Sequence, residues 1–109
     1  MDSPDPDSDA LSSFDVTVDR PRHATVTITG ELDMSGIHPL ATRVAAVLEG
    51  GVESLTIDLT DLRFADSSAI ALWVRWTGEV RELELRDPPP LLRRVIEAMG
   101  LGERFGLES

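Results

Sequence analysis

Four short runs in this chain alternate apolar with polar side chains, and that alternation limits the fold more than any other feature. Phe14, Val16 and Val18 oppose Asp15, Thr17 and Asp19, and Val26 and Ile28 oppose Thr25, Thr27 and Thr29. Leu55, Ile57 and Leu59 then flank Thr56 and Asp58, and Leu83 and Leu85 oppose Glu82, Glu84 and Arg86. A period of two places successive side chains on opposite faces of a strand. Strands covered by helices on both faces read as nearly continuous apolar runs. These do not, so one face of the sheet is expected to meet helices and the other to stay comparatively wet.

Between the runs the apolar spacing becomes helical. Ile37, Leu40, Ala41, Val44, Val47 and Leu48 share one face, with Pro39 in the first turn and Gly50-Gly51 as the stop. After a loop, Asp66-Ser67-Ser68 opens a second helix running to about Thr77. Pro88-Pro89-Pro90 introduces a third, with Leu91, Leu92, Val95, Ile96 and Met99 apolar and Gly100 at its end. The order β-β-α-β-α-β-α predicts a two-layer α/β fold. Its mixed, mostly parallel sheet would have four to five strands and helices mainly on one face.

At 109 residues and 41% hydrophobic content the chain is expected to form one domain. Residues 1–13 hold four aspartates, two prolines and four serines, the composition of a disordered acidic leader, so the domain is expected over 14–109. No apolar run approaches the length of about eighteen residues that spans a membrane. The start Met1-Asp2-Ser3-Pro4 is unlike a secretory signal, making the cytoplasm the expected compartment. There is no cysteine, and ten arginines face twenty acids for a net charge of −10. Such a chain repels nucleic-acid backbones and anionic lipid surfaces, so a protein partner is expected.

Catalytic motifs are missing. His23 and His38 are expected to be exposed, without the cluster of about three or four ligands that a metal needs. Gly50-Gly51 follows a helix and precedes a strand, the reverse of a phosphate cradle. Asp58 and Asp61 read as solvated acids at a strand end, and no serine has a recognisable base. The expectation is a non-enzymatic protein with no cofactor and no metal. The segment Phe64-Ala65-Asp66-Ser67-Ser68-Ala69 is different, because it sets an acid and two hydroxyls at a strand-to-helix junction. Helix capping accounts for such residues, and a helix N-terminus also favours a phosphate; the two roles are compatible.

Three segments carry a resemblance. Thr29-Gly30-Glu31-Leu32-Asp33, the stretch from Ile57-Asp58-Leu59 through Asp66-Ser67-Ser68, and Leu92 to Leu101 resemble, in order and spacing, the bacterial anti-sigma factor antagonists of the STAS domain family. The likeness covers about residues 14–107. It implies a domain that binds an anti-sigma factor with serine kinase activity, frees a sigma factor, and is switched off by phosphorylation of Ser67, with a phosphatase to reverse the change. Asp33 would lie near Ser67 at the partner-facing edge, together with Asp66, Ser68 and Ala69. Ala69 stands where the family has glycine, and the stretch from Asp66 to Arg93 is about four residues shorter than the family pattern, roughly one helical turn. The alternative is a STAS accessory subunit of a transporter or sensory complex that is never phosphorylated. On spacing alone, Leu72 and Trp76 share a stripe with Ser68, and this stripe is expected to be partly exposed for a partner or for self-association.

Overall fold

A computed structural model of the chain describes residues 12–107. Strands β1 (Ser12–Arg20) and β2 (His23–Leu32) form an antiparallel hairpin. Helix α1 (Met34–Glu49), strands β3 (Ser54–Asp58) and β4 (Leu62–Ala65), helix α2 (Ser67–Thr77), strand β5 (Glu82–Arg86) and helix α3 (Pro90–Ala98) follow. The sheet order is β1-β2-β3-β5, with β4 also on β2, and every pairing except β1–β2 is parallel.

The register explains the alternation. Ala24, Leu55 and Leu83 form one cross-strand row and Val26, Ile57 and Leu85 the next, all buried. The rows between them are Thr25-Thr56-Glu84 and Thr27-Asp58-Arg86. Leu40 and Val44 of α1, Ile70 and Trp73 of α2, and Leu92 and Ile96 of α3 complete the same core. The helices therefore cover the apolar face, as the one-sided strands require, and each fully buried Leu, Ile or Val contributes about 1.5–3 kcal/mol. At the sheet margin the Arg43 guanidinium lies 6.0 Å from the centre of the Phe14 ring, tying α1 to β1.

Three local readings change. The segment expected to be a loop before the second helix contains β4, which pairs with β2 through Gly30, Glu31 and Leu32 just beyond the part of β2 that pairs with β3. Two short strands thus use one edge of β2 in succession. Joining them, the Asp58 carboxylate accepts hydrogen bonds from the Thr60 amide at 3.1 Å and its hydroxyl at 2.7 Å. β1 begins at Ser12, two residues before the expected domain boundary; the rest of the acidic leader, residues 1–11, lies outside the described residues. His23 is buried, not exposed. An irregularity in the hairpin at Asp19 brings that carboxylate 2.7 Å from His23 Nδ1, while Nε2 lies 3.0 Å from the Thr56 hydroxyl. His38 is exposed, as expected.

The C-terminal segment closes the far edge of the sheet. The Leu85 amide donates to the Phe105 carbonyl at 2.9 Å, and the buried Phe105 ring meets Trp73 edge-on, 6.5 Å between centres. Gly106 turns the segment here at φ +70°, a left-handed backbone that L side chains rarely adopt.

Candidate functional site

β2 and β4 end side by side, and a helix starts from each. Leu32 pairs with Ala65, and the Asp66 amide donates to the Leu32 carbonyl at 3.2 Å, so Asp33 and Asp66 are the next residues on two adjacent chains. Both have extended backbones and both cap the helix that follows. Asp33 Oδ1 accepts from the Ser35 amide at 3.0 Å and from its hydroxyl at 2.7 Å. Asp66 Oδ1 accepts from the Ser68 amide at 3.0 Å and also from the Ser68 hydroxyl. The Ser35 hydroxyl, reinforced by backbone amides, holds the Asp33 carboxyl below its ordinary range. Both carboxylates offset orphan amides and the positive dipole end of a helix.

This twin cap separates the two serines of α2. Ser68 is half-buried with its hydroxyl engaged by Asp66. Ser67, at the first helical position, is exposed, and its hydroxyl makes no hydrogen bond among the described residues. Its counterpart at the first position of α1 is the exposed Met34. The junction offers one free hydroxyl beside two carboxylates; among the described residues no group of three or more His, Asp or Glu side chains is placed to hold a metal.

The other expected contact residues are not on this surface. Ala69 is fully buried, so its methyl group faces the core and not a partner. Leu72 and Trp76 are only 5% and 3% exposed, which overturns the expected exposed stripe. The cause is the position of α2. It packs against α1 as well as against β4 and β5, and Trp73 meets the C-terminal segment at Phe105. A helix with neighbours on several sides buries a wide apolar arc. The exposed apolar stripe is on α3 instead, where Leu91, Val95 and Met99 face solvent. Sequence spacing grouped these three with Leu92 and Ile96, although the two sets form separate rows of residues four apart.

Among the clefts on the surface of the described residues, two bear on function. A groove of about 260 Å³ runs between the β4–α2 junction and α3, and Ser67, Asp66, Phe64, Leu91 and Val95 are among its walls. A wider one of about 930 Å³ opens on the polar sheet face near His23 and Thr56, away from Ser67. Four arginines and four glutamates line that wider cleft, leaving no net charge to select an ionic ligand.

Comparison with known proteins agrees with this architecture. The model of the family described as "Mlab, STAS domain" matches residues 16–108. An anti-sigma F factor antagonist of Lysinibacillus sphaericus is 33% identical over 85 residues, 71% of this chain and 70% of that one. The structure of the anti-sigma factor antagonist SpoIIAA in its unphosphorylated form superposes with a TM-score of 0.75 at 22% identity, covering 84% of each chain. That of the Bacillus cell fate determinant SpoIIAA in the phosphorylated form gives 0.70 at 22% identity, covering 84% of this chain and 86% of that one. At these identities the structural likeness speaks to the fold. Among the described residues no helix is long and apolar enough to cross a membrane.

Proposed function

Because the chain belongs to the STAS domain family, we propose that it is an anti-sigma factor antagonist, acting in the cytoplasm and switched by phosphorylation of Ser67. The observation that carries this reading is the contrast between the two serines: Ser67 is exposed and unengaged, and Ser68 is held by Asp66. A kinase approaching the start of α2 meets a single available hydroxyl. The relative from Lysinibacillus sphaericus is an anti-sigma F factor antagonist, and a structural neighbour exists in a phosphorylated form.

The physics of the switch is local. The unmodified domain docks on an anti-sigma factor with serine kinase activity and displaces the sigma factor by occupying its inhibitor. A phosphate on Ser67 adds about −1.5 to −2 charges next to two carboxylates. In the free domain the start of α2 and bulk water accommodate that charge. In a fitted interface it must be desolvated, and a hundredfold loss of affinity requires only about 2.7 kcal/mol. A phosphatase that removes the group restores binding.

The test is incubation with each anti-sigma factor encoded in the same genome, with ATP, followed by mass spectrometry and a sigma-release assay. Phosphate on Ser67, with release of sigma by the unmodified form alone, is the expected result. A partner that binds without modifying any serine would instead mark a STAS accessory subunit.

A further inference from the structure

Helix α3 is amphipathic in two directions. Leu92 and Ile96 enter the core, while Leu91, Val95 and Met99 are 71%, 41% and 56% exposed. Phe64, 53% exposed at the end of β4, lines the same groove as these three, with Ile70 also among its walls. Large apolar groups gathered around one groove mark a contact surface far better than the same groups scattered singly. Ser67 is itself part of the wall, so whatever fills the groove lies against the proposed switch.

Charge narrows the occupant. Arg63 and Asp66 are the only charged residues lining the groove among the described residues. Asp66 is committed to the start of α2 through the Ser68 amide and hydroxyl. Arg63 is exposed and has no acidic partner among the described residues. We propose that the groove receives an apolar segment of the anti-sigma factor that also carries a carboxylate, and that this carboxylate pairs with Arg63. The proposal rests on the reading of Ser67 given above and extends it to the partner's chemistry. It also accounts for the sensitivity to modification: a phosphate on Ser67 competes for Arg63, repels the partner's carboxylate and must be desolvated when the apolar segment docks.

The experiment measures affinity for the anti-sigma factors of the same genome without ATP, using wild type, the L91D/V95D double variant, R63E and V18D. The replaced side chains are all exposed, and thermal melts confirm that each variant is folded. Expected are losses of roughly tenfold or more for L91D/V95D and for R63E, as for central interface residues. V18D, on the distant strand β1, should bind like wild type. The R63E deficit should shrink as salt is raised, because an ion-pair contribution is screened. Wild-type binding with unchanged affinity in L91D/V95D and R63E overturns the groove and leaves the proposed function standing. Binding by no anti-sigma factor overturns both.

Discussion

Asp66 holds Ser68 by two hydrogen bonds to one carboxylate oxygen, from the amide at 3.0 Å and from the hydroxyl. The same atom that caps α2 therefore engages the hydroxyl of one of two adjacent serines and leaves the other free. Asp66→Ala should release the Ser68 hydroxyl and divide phosphate between Ser67 and Ser68, where the proposed switch places it on Ser67 alone. The variant should lose about 1 kcal/mol of stability with its cap. Asp66→Asn, which keeps an acceptor oxygen, should retain both stability and selectivity. Phosphopeptide mass spectrometry and urea denaturation measure the two effects separately.

Trp76 and Leu72 belong to the core, and their truncation should show it. Trp76→Ala should cost about 3–5 kcal/mol and Leu72→Ala about 2–5 kcal/mol, as buried large-to-small changes do. Leu91→Ala, exposed on α3, should change stability by less than about 0.5 kcal/mol. Chemical denaturation of the three variants tests the assignment; a small loss for Trp76→Ala would return that residue to the surface.

The C-terminal segment should be required for the fold. Phe105→Ala removes a buried ring from against Trp73 and should cost about 3–5 kcal/mol, seen as a lower urea midpoint. Gly106→Ala should also destabilise, because a side chain there is held at φ +70°, in the left-handed region. A protein ending at Gly100 would lose the Phe105 ring and the bond from Leu85, and its circular dichroism should show a broadened, lowered thermal transition.

Asp19 gives the fold an acid-sensitive contact. Hydrogen bonds from His23 and then Thr25 hold its carboxyl down at about 2. A carboxyl with a lowered native pKa stabilises the fold above its unfolded value, near 3.9, and that contribution is lost as pH falls toward about 2. Asp33 and Asp58, lowered by the hydroxyls of Ser35 and Thr60, act in the same direction. Asp19→Asn should therefore flatten the fall of melting temperature below pH 4, a range read directly by thermal melts in acid buffers.

Local pattern made much of this molecule legible. The alternation of Leu83 and Leu85 with Glu82, Glu84 and Arg86 located β5 to the residue and placed the helices on one face. Asp66 announced α2 because short acceptor side chains satisfy free amides wherever a helix begins. Strand β4 was hidden, since four residues reading Leu-Arg-Phe-Ala carry no usable period and pair only with the distant β2. His23 was misplaced for a related reason: its burial depends on Asp19 across the hairpin irregularity and on Thr56 in another strand.

The sequence by itself determined every element but β4, the cap of α2 and the angular positions of the apolar stripes, because those follow from backbone periodicity and from hydrogen bonds within a few residues. Only the tertiary structure decided which stripes meet the core. On α2, Leu72 and Trp76 are buried because α1, the sheet and the Phe105 segment surround that helix; on α3, Leu91, Val95 and Met99 remain in solvent because only Leu92 and Ile96 reach the core. A helical repeat sets where a stripe lies around its own axis, whereas burial depends on which neighbours occupy the space opposite it.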